Sequence, residues 1–337
     1  MEILSNISLK QYNTFGIDVK AKHFVSVKSV EELKFVLNLE AFPEKFILGG
    51  GSNMLLTKDV DVLVIHLDLK NIEIISKNED TVIVKVATGE NWHDFVLWCL
   101  EHNFGGIENL SLIPGNVGAT PIQNIGAYGV ELKDVFVSCE ALHINTQKVR
   151  IFTKEECKFE YRNSIFKQDL KGKYVILNIT LELTNKNHKI NTSYGAITEE
   201  LKKMKVESPS IQDVSNAVIT IRESKLPNPK VIGNSGSFFK NPIISKSHFN
   251  TLKINFPELP SYSVSEENIK IPAGWLIEHL GFKGKRFGNY GVHNKQALVL
   301  VNYDDAKGED IFKLSQLIQS TVKRIFDINL ELEVNII

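Results

Sequence analysis

Nineteen consecutive residues, 111–129, contain four glycines and two prolines and carry no charged side chain. A solvent-exposed linker would be polar, so this loop is expected to be buried. Buried loop backbone must find a partner for each of its N–H and C=O groups. Irregular loops longer than about 12–15 residues are uncommon in compact domains and usually functional. A large, flat ligand with polar edges would meet those needs. A self-satisfied Ω-loop is the plainer alternative.

Other segments point the same way. Gly49, Gly50, Gly51, Ser52 and Asn53 follow the apolar run Phe46-Ile47-Leu48. Such a run can turn a nest of backbone N–H groups toward a phosphate, or simply form a tight turn. No Gly-Lys-Ser/Thr follows, and Met54 stands where a dinucleotide fingerprint would place its third glycine. Residues 233–242 set a hydroxyl (Ser237), an ammonium (Lys240) and an amide (Asn241) after paired glycines. Alone, they read as a turn entering a strand. Residues 161–167 contain Arg162. Residues 330–337 alternate apolar and polar, predicting a strand with Leu330, Leu332, Val334 and Ile336 toward a core and Glu331 and Glu333 opposite.

Taken together, these segments resemble the UDP-N-acetylenolpyruvoylglucosamine reductase family, flavoenzymes of peptidoglycan precursor synthesis. The resemblance starts at Asn13-Thr14-Phe15-Gly16 and runs through residues 49–53, 114–129 and 161–167. It continues through Arg222–Pro227, Gly236–Pro242, Ala273–Ile277 and Leu332-Glu333-Val334. Tyr194-Gly195 matches the tyrosine-bearing loop of the longer sub-type. The implied fold is α+β: a two-lobed FAD-binding region of the PCMH/vanillyl-alcohol-oxidase type and a C-terminal α+β substrate-binding domain. The expected ranges are 1–70 and 71–215 for the lobes and 216–337 for the substrate domain.

The resemblance also implies a ping-pong reaction in which NADPH reduces non-covalent FAD and hydride then passes to the enolpyruvyl ether of UDP-N-acetylglucosamine. Charge moves into the substrate carboxylate, giving an enediolate-like intermediate. Arg162 is the implied partner of that carboxylate, since guanidinium is permanently charged and forked. Glu333 is expected on its other side and protonated, because a bare carboxylate would repel the developing charge. Ser237 is the implied proton donor to the α-carbon, with Ser235 a nearby decoy. Tyr194, Lys225 and Asn241 are implied for the uridine diphosphate, and Tyr128 for the substrate near the flavin. Gly49–Asn53 are implied for the FAD diphosphate, and Ile122, Gln123, Asn124, Gly126 and Arg222 for its ring system. Family members commonly carry Arg where this chain has Asn335, which bears on secondary contacts near the carboxylate.

Composition narrows the alternatives. Lys plus Arg number 39 against 40 Asp plus Glu, so there is no overall field to draw nucleic acid or membrane. Cys99, Cys139 and Cys157 are odd in number and lack C-x-x-C spacing, arguing against a disulfide framework or zinc site and for a reducing cytoplasm. No apolar run approaches the roughly 20 residues of a membrane span, and no metal motif occurs. A monomer is expected. An FAD-linked oxidase of the same fold often tethers flavin through His or Cys, and neither occurs in residues 49–53 or 114–129. An inactive UDP-sugar-binding protein would not need Arg162, Ser237 and Glu333 together.

Local patterns predict helices over 29–37, 92–100, 154–166 and 311–325, the first two capped by Ser29 and Asn91. Strands are expected within 72–88, 135–151 and 174–183, and Cys157 is expected to be a buried packing residue.

Overall fold

Ser29 and Asn91 start the first two helices as their sequence predicts. In the computed structural model, which describes residues Met1–Ile337, the Ser29 hydroxyl accepts the Glu32 N–H at 3.1 Å. The Glu32 carboxylate in turn accepts the Lys28 N–H at 2.7 Å. Helix α1, Val30–Leu37, then buries Leu33, Val36 and Leu37. Asn91 accepts from His93 and Asp94 and opens α2, Trp92–Glu101, which buries Trp92, Phe95, Val96, Cys99 and Leu100. Side-chain acceptors here satisfy N–H groups that a helix start leaves unpaired.

The chain divides into two compact units. The first comprises Met1–Ile7, Ala21–Gly50 and Asp61–Ser224. It carries a four-stranded sheet ordered Leu4–Ser8, Lys20–Val27, Val60–Leu67, Lys45–Leu48. Its five-stranded sheet runs Val149–Thr153, Phe136–His143, Tyr174–Thr184, Thr81–Ala87, Ile72–Lys77, antiparallel throughout. α1 packs with the first sheet and α2 with the second. Leu142, Val175 and Leu177 of the second sheet join the core of the first, so the two sheets share apolar contacts. Helices α3, Gly195–Lys203, and α4, Ile211–Lys225, close a third cluster through Ile197, Leu201, Val214, Ala217, Val218 and Ile221.

The second unit comprises Ser8–Lys20, Gly51–Val60 and Lys225–Ile337. Met54–Leu55 pairs in parallel with Asn335–Ile336, which is why residues 51–60 group with the C-terminal third. α4 runs unbroken past the expected boundary at 215, so residues 216–224 stay with the first unit. The second unit holds two small three-stranded sheets and helices α5, Lys246–Asn255, α6, Ala273–His279, and α7, Gly308–Phe326. α7 buries Ile311, Leu314, Ile318, Val322 and Phe326, one stripe at helical spacing, while Leu317 and Ile325 lie off it and are exposed.

Two expectations change. Residues 154–166 form no α-helix, only the start of a short 3-10 turn at Ile165–Lys167: a turn follows Thr153, and the carboxylate of Glu156 accepts the Thr153 N–H at 2.9 Å. Lys158 and Arg162 then take left-handed backbone (φ 48° and 54°), which breaks the helical path. Cys157 is nonetheless fully buried in the core. The chain end is not one continuous strand: Leu332 bridges Phe239, and the backbone then shifts to pair Asn335–Ile336 with Met54–Leu55. Leu330 and Val334 are buried, whereas Leu332 and Ile336 are only half-buried.

Candidate active site

The charge-free loop is buried only in part, with Pro114, Ala119, Ile122 and Gly129 exposed, and it obtains backbone partners from residues 88–92. Trp92 N–H donates to Gly115 O at 2.9 Å, Val117 N–H to Glu90 O at 2.8 Å and Gly118 N–H to Thr88 O at 3.0 Å. The two glycine-rich segments meet here. A methyl group at Gly50 would lie 2.7 Å from Asn116 Oδ1 and 3.0 Å from the Gly115 Cα. One at Gly118 would strike Thr88 Oγ1 at 1.7 Å. The backbone is therefore brought closer than any side chain allows. Gly51, at φ 58°, abuts the Tyr12 carbonyl within the second unit, where Thr14 N–H donates to Gly51 O at 3.1 Å.

Three of the residues expected at the site hold left-handed backbone: Asn124 (φ 44°), Tyr128 (φ 52°) and Arg162 (φ 54°). Strain of this kind persists only where the surroundings impose it, and it concentrates at functional sites. Asn124 is fully buried and its amide is used internally. It donates to Glu131 at 3.0 Å and to Glu160 O at 3.2 Å, and it accepts from Lys133 N–H at 3.1 Å. Its backbone, rather than its side chain, is what remains for a ligand. Ile122 is exposed, and its carbonyl accepts the Ser164 hydroxyl at 2.7 Å, tying the Arg162 turn to the glycine loop. Arg162 donates to Gly126 O at 2.7 Å, and its guanidinium lies 5.5 Å from the centre of the Tyr161 ring.

Arg222, on α4, has its Nε enclosed without a hydrogen-bond partner. Burial lowers its pKa from the usual guanidinium value, while the Tyr128 hydroxyl beside it opposes the shift. Burial likewise raises the Tyr128 phenol, against the nearby Arg222. An unsatisfied buried guanidinium nitrogen is costly in a finished interior. Its place beside Tyr128, at the end of the charge-free loop, fits a polar-edged cofactor ring. Tyr128 and Tyr194 meet edge to face with centroids 5.2 Å apart.

In the second unit, residues 236–240 run between two neighbours. Ser237 pairs with Val299 and Phe239 with Leu332. The Ser235 hydroxyl is buried and committed: it donates to Met54 O at 3.1 Å and lies 3.3 Å from Thr14 Oγ1. Ser237 is half-buried, and no protein group engages its hydroxyl. Glu331 and Glu333 also differ: Glu331 is exposed and pairs with Lys240 at 2.8 Å, while Glu333 is half-buried. Asn53 donates to Glu333 O at 3.2 Å, and Asn335 returns a bond to Asn53 O at 2.8 Å. Asn335 thus anchors the last strand to the end of the glycine run. Asn241 Oδ1 caps α6 through Ala273 N–H at 2.9 Å, and Lys225 is exposed at the end of α4.

Sequence reasoning missed Asn109 and Asn116, which support these loops. Their only signal was a polar amide inside an apolar stretch. The three cysteines are all buried and unpaired by disulfide, no acidic or histidine cluster could hold a metal, and no helix is long and apolar enough to cross a membrane.

Comparison with known proteins agrees with this geometry. The FAD binding domain family matches residues 21–151, and the family described as UDP-N-acetylenolpyruvoylglucosamine reductase, C-terminal domain, matches residues 228–337. The UDP-N-acetylenolpyruvoylglucosamine reductase of Flavobacterium johnsoniae is 60% identical over 337 residues, covering all of both chains. That of Amoebophilus asiaticus is 50% identical, again over the whole of both chains. Among solved structures, a UDP-N-acetylenolpyruvylglucosamine reductase from Thermus caldophilus shares the fold with a TM-score of 0.69 at 22% identity, covering 99% of this chain and 98% of the other.

Proposed function

This chain belongs to the UDP-N-acetylenolpyruvoylglucosamine reductase family, and from that membership we infer its activity and how its residues share the work. It is an FAD-dependent oxidoreductase that uses NADPH to reduce the enolpyruvyl ether of UDP-N-acetylglucosamine to UDP-N-acetylmuramate in peptidoglycan precursor synthesis. We assign it to the cytoplasm as a monomer, consistent with three buried free thiols.

The residues present fit FAD. Gly50 and Gly118 allow backbone approach that a Cβ would block, and Arg222 has a buried, unpartnered Nε. Backbone N–H groups of Gly49, Gly50, Gly51, Ser52 and Asn53 would hold the diphosphate. Ile122, Gln123, Asn124, Gly126 and Arg222 would hold the ring system. The cofactor, when bound, supplies the hydride chemistry.

The remaining work falls to side chains. Arg162 faces the substrate carboxylate and stabilises the charge that builds there. Glu333, neutral in its working form, donates a hydrogen bond to the same group. Ser237 delivers its hydroxyl proton to the α-carbon and recovers one from solvent. Lys225 neutralises the diphosphate, with Tyr194 and Asn241 at the uridine and Tyr128 beside the substrate.

One observation carries the choice of donor: the Ser235 hydroxyl is locked onto Met54 O, whereas that of Ser237 is engaged by no protein group. A donor must be available to the atom it protonates. Measuring NADPH consumption with and without the enolpyruvyl nucleotide tests the overall reading. Equal rates in the two cases would contradict it.

A further inference from the structure

Tyr128 and Tyr194 sit on loops far apart in sequence, yet their rings pack at 86° with centroids 5.2 Å apart. Asn109 joins those loops. It is 1% exposed, in the short turn Glu108–Leu110. Its side-chain amide donates to Tyr128 O at 3.0 Å and to Asn191 O at 2.9 Å. The two hydrogens of one planar amide have a fixed relation, so both carbonyls are held at a fixed separation. Asn191 repeats the link from the other side. Its Nδ2 donates to Gly129 O at 3.2 Å, and its Oδ1 accepts both the N–H and the hydroxyl of Ser193.

Asn109 comes at a cost to the fold. Its Oδ1 is buried with no partner, and an unsatisfied buried acceptor is unfavourable. Tyr128 is itself held in left-handed backbone, a conformation that its neighbours must enforce. An apolar residue at 109 would avoid the orphaned acceptor but would leave only the Asn191 bond to Gly129 O and the ring contact between the two loops.

We propose that Asn109 is a positioning residue for the nucleotide end of the substrate. Its one amide group locks the Tyr128 turn to the Tyr194 loop, so that the two rings form one preformed surface. The inference rests on the assignment of both tyrosines to the substrate. A preformed surface lowers the ordering cost of binding and leaves the chemical step alone.

Asn109→Leu keeps similar bulk and removes both donors and the orphaned acceptor. In the FAD-loaded enzyme, the Kd for UDP by calorimetry and the KM for the enolpyruvyl nucleotide should rise about tenfold, with kcat within about twofold. A role confined to fold stability would not split KM from kcat in this way. If the leucine variant fails to fold, Asn191→Ala at its half-exposed position removes the second set of links. It should weaken UDP binding in the same direction with FAD retained. Unchanged UDP affinity in an FAD-loaded variant, or a fall in kcat alone, overturns the inference. Tyr194→Ala serves as the reference. If it weakens UDP binding and Asn109→Leu does not, Asn109 is at fault. If Tyr194→Ala also has no effect, the substrate assignment falls and the inference with it.

Discussion

The backbone N–H of Glu333 donates to the carbonyl of Phe238 at 2.9 Å, so Glu333 is hydrogen-bonded to the residue that follows Ser237. The glutamate and the serine are therefore carried on one backbone contact and cannot drift apart without breaking it. Asn53 adds a second restraint through Glu333 O. Rigid placement of this kind is what proton delivery to a short-lived carbanion requires.

Glu333→Gln should be milder than Glu333→Ala. If the working form is neutral, an amide still offers a donor toward the substrate carboxylate and alanine offers none. Removing such a donor typically costs about 10²–10³ in rate. Steady-state kcat for the two variants checks this. Equal, near-complete loss in both would mean that Glu333 must carry charge or transfer a proton.

Gly50→Ala should release flavin. Its Cβ would sit 2.7 Å from Asn116 Oδ1 and 3.0 Å from backbone atoms of Asn116 and Gly115. Backbone has to move, at a cost of about 1–3 kcal/mol by analogy with overpacked sites. Absorbance of the purified variant, titrated with added FAD, reads the loss. Flavin released from the parent protein by denaturation should be free FAD, since neither glycine loop offers a His or Cys tether.

Lys225→Ala and Tyr194→Phe should weaken UDP binding and leave flavin reduction by NADPH largely intact. Both residues are assigned to the nucleotide rather than to the reacting carbons. Titration calorimetry with UDP and the rate of flavin bleaching by NADPH separate the two effects. Normal UDP affinity with slowed bleaching would contradict the assignment.

Much of this was legible in the residues, for identifiable reasons. Ser29 and Asn91 cap their helices because capping is local, and the apolar, charge-free composition of residues 111–129 anticipates that Ser111, Val117, Gly118, Thr120, Asn124 and Ile125 are buried. The errors arose where long-range contacts decide. Residues 154–166 have helix-compatible spacing, yet Thr153, Glu156 and the left-handed Lys158 and Arg162 turn the chain back on the glycine loop. The chain end alternates like a single strand but changes partner from Phe239 to Met54–Leu55. Within the site, the resemblance already favoured Ser237 over its neighbour Ser235, but the residue types alone gave no physical reason. The three-dimensional contact of the Ser235 hydroxyl to Met54 O supplies that reason. Asn109 was invisible because its work is done through carbonyls remote in sequence.

The central claim is that Ser237 is the proton donor, and Ser237→Ala followed by stopped-flow flavin absorbance tests it most directly. Bleaching by NADPH needs no proton at the α-carbon and should proceed at close to the parental rate. Return of colour on adding the enolpyruvyl nucleotide should slow by about 10²–10⁴, the usual effect of removing a general acid. Ser237→Cys should recover part of that rate, because a thiol still donates a proton. Return of colour at the parental rate in the alanine variant would contradict the account and move the proton to another group.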